Sequence, residues 1–574
     1  MVKSILFVDF MAGITEQIYS NEYKDYILPY SNSDIVNTYK DFGVQLLDTH
    51  YMLLHDRGDN PLFPIRSTTG LYNEYPYTPK IFTLLSTVSL ETSGIIQVQT
   101  QPNLNLNGKN TLVGFIDTGI DYTHPAFLDE YGETRILSIW DQTIPDDSEN
   151  SPFQYGTVYE SRQINLALRT ENPTALVPTK DEVGHGTALA GIACGFPSPE
   201  NSFTGVAYAS KISVVKLKKA KPYLYDYYFA DADADIYQEN DIMTAIRFLI
   251  SQSNKYQMPL IICIGLGSNQ GDHSGNSALS EMISNQSYST YAAFSIACGN
   301  EGNKAHHTFK TINNTYEEVE ILVSENTRGF TSELWGSTNA LLSIGFQTPL
   351  GTQIEPIAVR PGQTEIIPFV LEKTRIELSY SIITESGGNQ LVAFRISDPT
   401  PGNWIIRVYN RGKTNASFHM WLPITGIAQN SPIFYNPDPN TTITTPSDSR
   451  NGISTTFYNG YDQSFAIDSS RGYTRTGDIK PNLSSPGSLV TAPNLRQNYS
   501  SFTGSSAAAA ILAGSMALLQ QWRMDMAIPG ILNYATMTGY LTRGASREDN
   551  LDYPNRLWGY GKLNVYEIFT SIMS

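Results

Sequence analysis

The sequence predicts an α/β fold: a parallel sheet with helices on both faces, a small α/β unit in front of it, and an inserted all-β jelly-roll or sandwich domain. Three observations predict it. From about Lys80, apolar strands alternate with helical stretches, the pattern of a parallel sheet covered by helices. Between residues 306 and 438 the helical period vanishes, and seven short alternating segments follow at a spacing of roughly ten residues. Beyond 438 the α/β features resume, so the all-β stretch interrupts one domain. The boundaries are therefore 1–75 for the leading unit, 76–305 and 439–574 for the α/β domain, and 306–438 for the insert. With 574 residues, 41% of them hydrophobic, the chain can build a large core and exceeds one compact domain.

In the leading unit, Tyr26–Tyr30 reads as a strand, Ser33 and Asp34 open a helix through Phe42, and Val44–His55 reads as a second strand. A loop rich in Pro, Gly, Asn and Tyr runs from Asp56 to Thr78. Its end, Tyr75-Pro76-Tyr77-Thr78-Pro79, is expected to be extended, because each proline restricts the residue before it. In the α/β domain, Leu112–Ile116, Ile212–Leu217, Leu260–Ile264 and Ala292–Ala297 read as buried strands. Asp241–Gln252 reads as an amphipathic helix and Glu281–Gln286 as a second helix. The strands of the insert are Glu318–Val323, Leu341–Phe346, Glu365–Leu371, Ile376–Tyr380, Leu391–Ile396, Trp404–Tyr409 and Phe418–Leu422. After the insert, Ser464–Ile467 returns to the α/β pattern, and the Ala- and Leu-rich run from Ser506 to Trp522 reads as a buried helix.

The formal net charge is −17, a field that repels nucleic acid and anionic membrane surfaces, so neither is expected as a partner. No run approaches the length of a membrane-spanning helix. Asp9 interrupts the short apolar patch at the N-terminus and no small-residue cleavage site follows it, so no signal peptide is expected and an intracellular location is. Cys194, Cys263 and Cys298 each sit in an apolar run without metal-ligand spacing and read as small core residues. No metal and no cofactor is expected.

Four places carry polar groups where chemistry is done. Strand Leu112–Ile116 ends in Asp117-Thr118-Gly119-Ile120-Asp121; an acid there lies at the carboxyl edge of a parallel sheet, though Asp also caps turns. Gly184-His185-Gly186-Thr187 opens an apolar helix, and the glycines permit close approach of another backbone. Gly299-Asn300-Glu301-Gly302 follows a strand; its Asn is either a turn residue or a donor to a developing oxyanion. Gly504-Ser505-Ser506 heads the long helix, where a serine is either an N-cap or a nucleophile backed by free backbone N–H groups.

The order Asp, His, Asn, Ser, with these local sequences and Lys480-Pro481-Asn482-Leu483-Ser484-Ser485-Pro486-Gly487, resembles the subtilisin-like serine proteases over about 80–300 and 440–574. The resemblance implies a serine endopeptidase. Ser506 would attack the scissile carbonyl, His185 would carry its proton to the leaving amine, and Asp117 would orient the imidazole. Asn300 and the Ser506 N–H would hold the oxyanion. Gly265-Leu266-Gly267 would pair with the backbone of a protein or peptide substrate. Two positions depart from the family pattern: Ser505 stands where it has Thr, and Ala510 where it has Pro.

Gly114–Phe127 and Arg135–Thr143 resemble a narrower group, the Csp germination proteases of clostridia. That resemblance implies that residues 1–75 are a prodomain, that the β insert stiffens the catalytic domain, and that the substrate is the zymogen of a spore-cortex hydrolase. It also implies self-processing within about 65–80, with the extended Tyr75–Thr78 end of the prodomain lying in the cleft. Two readings from other classes stand beside it: a catalytically silent pseudoprotease serving as a germination signalling or scaffold protein, and a carbohydrate- or protein-binding β module on an α/β support.

Overall fold

A computed structural model of the chain describes residues 14–30, 39, 42–57, 74–85, 98–99, 106–145, 153–289, 292–337, 340–369, 372–383, 388–412, 415–528, 530 and 532–573. The leading unit holds helix α1 (Thr15–Tyr19) and strands β1 (Lys24–Pro29), β2 (Gly43–Leu46) and β3 (Tyr51–Asp56), in an antiparallel sheet of order β1-β3-β2. The single strand read over Val44–His55 is thus a hairpin. Asp48 Oδ1 accepts the N–H groups of His50 and Tyr51, both at 2.7 Å, and reverses the chain. The expected helix from Ser33 lies outside the described residues apart from Tyr39 and Phe42. Tyr75–Tyr77 is a short 3-10 turn and not extended, since Pro76 suits the start of a helical turn. The extended segment comes later, as β4 (Ile81–Leu84).

The chain then forms β5 (Leu112–Asp117), β6 (Ile136–Asp141), β7 (Thr157–Glu160), α2 (Ser161–Leu168), α3 (His185–Cys194), β8 (Lys211–Lys216), α4 (Pro222–Tyr228), β9 (Tyr237–Gln238) and α5 (Glu239–Tyr256). β10 (Leu260–Ile264), β11 (Leu266–Gly267), α6 (Ala278–Ser289) and β12 (Ala292–Ala297) complete this part. The insert supplies β13 (His307–Ile312), β14 (Tyr316–Val323), β15 (Gly329–Gly336), β16 (Leu342–Gln347), β17 (Gln353–Ile354), β18 (Thr364–Pro368), β19 (Arg375–Ile383), β20 (Asn389–Ser397), β21 (Gly402–Asn410), β22 (Ala416–Trp421) and β23 (Ile433–Phe434). The chain closes with β24 (Ile453–Asn459), β25 (Leu483–Ser488), β26 (Val490–Asn494), β27 (Asn498–Phe502), α7 (Ser505–Asp525), α8 (Tyr534–Arg543) and α9 (Val565–Met573).

Eight strands form the central sheet, in the order β25-β24-β12-β10-β5-β8-β6-β7. Neighbours run parallel except for β7, which is antiparallel to β6. β5 shows why both faces are covered. Val113 and Phe115 enter the apolar cluster built with α3 and α7, while Leu112 and Ile116 enter the one built with α5 and α6. α7 is the axis of the first cluster, with every residue from Ser505 to Arg523 buried. Ser464–Ile467 forms no strand; Phe465 makes one isolated bridge to Tyr458.

The insert folds as two antiparallel sheets, β13-β22-β15-β20-β19-β18 and β17-β16-β21-β14-β23, sharing one apolar cluster that includes Phe346, Phe394 and Trp404. β15 escaped the sequence reading because all eight of its residues are buried, so it shows no inside–outside alternation. The three cysteines are buried and free. Among the described residues, no helix is long and apolar enough to cross a membrane.

Candidate active site

β5 lies between β10 and β8 and ends in Asp117, whose carboxylate therefore sits at the carboxyl edge of the sheet. α3 starts beside it with His185. His185 Nδ1 lies 2.7 Å from Asp117 Oδ1, both side chains being buried. A carboxylate only accepts, so Nδ1 is the donor of this bond and Nε2 faces away from Asp117. That Nε2 has no hydrogen-bond partner among the described residues. Gly186 lets the helix start come this close: a Cβ there would fall 2.2 Å from the Gly119 carbonyl oxygen.

Ser506 is the second residue of α7. Its N–H donates to the Leu85 carbonyl oxygen at 2.9 Å. Its hydroxyl bonds to the Gly265 carbonyl oxygen at 2.9 Å and makes a short contact with the Leu85 carbonyl oxygen. A Cβ built on Gly265 would stand 3.1 Å from both Ser506 Oγ and His185 Cε1, so hydroxyl and imidazole flank one small gap that only glycine leaves open. The hydroxyl does not bond to His185 in this structure.

Ser505 is engaged elsewhere. Its Oγ accepts the Gly299 N–H at 3.1 Å, and its N–H donates to Asn300 Oδ1 at 3.1 Å. The structure therefore brings Asp117, His185, Ser506, Asn300 and Gly265 to one place, with Ser505 tied into the Asn300 loop. No bond joins Asn300 to Leu85 among the described residues.

Gly265, Leu266 and Gly267 are paired with another strand of the same chain. Leu84 faces Leu266 and Thr83 faces Gly267 in antiparallel register, and the Leu85 N–H donates to the Gly265 carbonyl at 3.2 Å. On its other edge this strand pairs with β9, so β4 is the middle strand of the order β11-β4-β9. The segment paired with Gly265–Gly267 is Thr83–Leu85, not Tyr75–Thr78. Tyr75 is turned away instead, its hydroxyl donating to Glu333 Oε1 of β15 at 2.8 Å.

The match to known families follows this geometry. The family model described as Peptidase_S8, the subtilase family, matches residues 108–333 and 380–561. The chain belongs to the subtilase family. A solved structure titled as that of the CspB protease of Clostridium perfringens is similar to this subtilase, with a TM-score of 0.75 and 30% sequence identity. The likeness covers 84% of this chain and 96% of that one. No curated protein matches. The chain is thus a subtilisin-like serine endopeptidase.

Sequence reading missed two residues that hold this subtilase site together. Asp181 caps α3, accepting the Gly184 N–H at 2.8 Å with one oxygen and the Thr187 N–H and hydroxyl at 3.0 and 2.8 Å with the other. The signal was present, an acid four residues before His185. Glu301 follows Asn300 and is buried; it accepts from Asn269 Nδ2 at 3.0 Å, His306 Nδ1 at 2.6 Å and the Thr425 N–H at 3.2 Å. Burial acts to raise its carboxyl, but the neighbouring His306 and these hydrogen bonds outweigh burial and hold it below the usual carboxylate range. Among the described residues, no group of three His, Cys, Asp or Glu side chains is arranged to hold a metal ion.

Proposed function

We propose that this subtilase cuts its own chain between Leu85 and Ser86, keeps the leading unit in its cleft as a bound product, and then acts on a protein zymogen, that of a spore-cortex hydrolase. The observation that carries the first part is the Leu85 carbonyl oxygen, which accepts the Ser506 N–H while its strand pairs with Leu266 and Gly267. Strand addition at an open edge is how a peptide backbone is held for cutting. The prodomain then ends at Leu85, ten residues beyond 75.

In this reading Ser506 Oγ turns from the Gly265 carbonyl toward His185 Nε2 and attacks the Leu85 carbonyl carbon. His185 takes the hydroxyl proton and delivers it to the Ser86 nitrogen as the peptide bond breaks. Asp117 keeps the proton on Nδ1 and stabilises the imidazolium. Charge developing on the Leu85 oxygen is met by the Ser506 N–H and by the Asn300 amide, whose Oδ1 is anchored on Ser505. Water then releases the acyl group by the same route in reverse.

The unit that bears the strand is held firmly, which supports its role as a retained prodomain. Asp25 of β1 is buried and accepts from Lys221 Nζ at 2.7 Å, His55 Nδ1 at 2.6 Å and Gln238 Nε2 at 2.8 Å. The zymogen part rests on likeness to the Csp proteases. Incubation with such a zymogen tests it: a cut made by the wild type and absent with Ser506→Ala is expected. Identical zymogen after both treatments contradicts it and favours the silent scaffold reading.

A further inference from the structure

The loop between β22 and β23 of the inserted domain covers the strand paired with Gly265–Gly267. Thr83 lies two residues before Leu85 and is 3% exposed. Its hydroxyl donates to the Thr425 carbonyl oxygen over 3.3 Å. A Cβ built on Gly426 would stand 3.8 Å from Thr83 Cβ and 3.9 Å from its methyl carbon, so the loop leaves room for about one methyl group over this side chain.

The loop is fixed at both ends. The Thr425 N–H donates to Glu301 Oε1 at 3.2 Å, beside Asn300. The Asp231 N–H donates to the Ile427 carbonyl at 2.9 Å, and the Gln429 N–H donates back to Asp231 Oδ2 at 2.7 Å. Gly426 adopts φ +95°, a left-handed conformation that side chains rarely enter.

We propose that Thr425 and Gly426 form a third side-chain subsite, through which the inserted domain takes part in substrate choice by selecting Thr or Ser at the third position before the cut. The inference rests on the reading that Leu85 precedes the scissile bond. The chemistry is that of one carbonyl acceptor under a low roof. A small hydroxyl donates to it, valine leaves it unpaired, and a lysine chain does not fit beneath a loop that leaves about one methyl's width above the threonine.

Self-cleavage of the full chain, followed by intact mass over time after synthesis, tests the subsite. Thr83→Ser is expected to process within about twofold of the wild-type rate, Thr83→Val about three- to tenfold more slowly, and Thr83→Lys at least about a hundredfold more slowly. Melting temperatures measured on the same chains in the Ser506→Ala background are expected to agree within a few degrees for Ser and Val, and that pair decides the matter if the Lys variant fails to fold. Equal rates for Thr83, Ser and Val, with the wild type cutting after Leu85, overturn the subsite and leave self-processing standing. A wild-type chain that never cuts after Leu85 overturns the reading beneath it.

Discussion

The carbonyl oxygen of Leu85 accepts the backbone N–H of Ser506 at 2.9 Å, so a peptide group of the chain lies within reach of the proposed nucleophile. Everything around that contact acts to keep the strand still. Ile81 N–H donates to Gln270 Oε1 at 3.0 Å, and the Glu239 N–H donates to the Lys80 carbonyl at 3.0 Å. Phe82 and Leu85 are buried in the two apolar clusters on opposite sides of the sheet.

The side chain of Leu85 runs against Gly267, where an added Cβ would fall 2.9 Å from Leu85 Cδ1 and 2.4 Å from Thr444 Oγ1. Gly267→Val is expected to slow cutting after Leu85 by about 10²-fold, by filling space the leucine needs. Leu85→Asp is expected to abolish self-cleavage, since a carboxylate would enter an apolar pocket. Intact mass reads both.

Asn300→Ala is expected to lower the rate of self-cleavage by about 10²–10³-fold, the size of loss known when such a donor is removed from a subtilisin, with little change in melting temperature. A fall of less than about threefold would remove Asn300 from the oxyanion site.

The Asp25–Lys221 pair is fully buried between the leading unit and the start of α4. Burial acts to raise the Asp25 carboxyl, but Lys221 and His55 outweigh it and hold it well below the usual range. Lys221→Met removes the buried ammonium and leaves that carboxylate to His55 and Gln238, and a loss of about 3–5 kcal/mol of docking stability is expected. Size-exclusion chromatography of the processed protein is expected to show the leading unit retained in the wild type and lost in the variant.

Glu301 links acid to the Asn300 loop. Its carboxyl is held below the ordinary value of 4.5 in the folded chain, so its contribution to stability is present above pH 4.5 and is lost as pH falls below that value. The melting temperature of the wild type is expected to fall more steeply on acidification below pH 4.5 than that of Glu301→Gln, which has no carboxyl to protonate.

Much of the frame was legible because its signals are local. Leu260–Ile264 and Ala292–Ala297 are apolar runs buried on both faces, and the structure reproduces their bounds. Asp117, His185, Asn300 and Ser506 were legible because each stands at the end of such an element. What escaped depends on distant partners. β15 shows no period because Glu333 inside it is buried, satisfied by its neighbour Trp335 and by Tyr75 and the Gly271 N–H, which are far away in sequence. The strand paired with Gly265–Gly267 is not legible because nothing within Ile81–Leu85 marks it. Its place is set by the Asp25–Lys221 contact and by Gln238, which bring the leading unit onto the sheet edge.

The intact mass of the purified chain, measured for the wild type and for Ser506→Ala, tests the central claim most directly. Two species are expected from the wild type, residues 1–85 and 86–574, and a single chain of 574 residues from Ser506→Ala. A folded wild-type chain that stays whole, or the same two fragments from Ser506→Ala, would contradict the account.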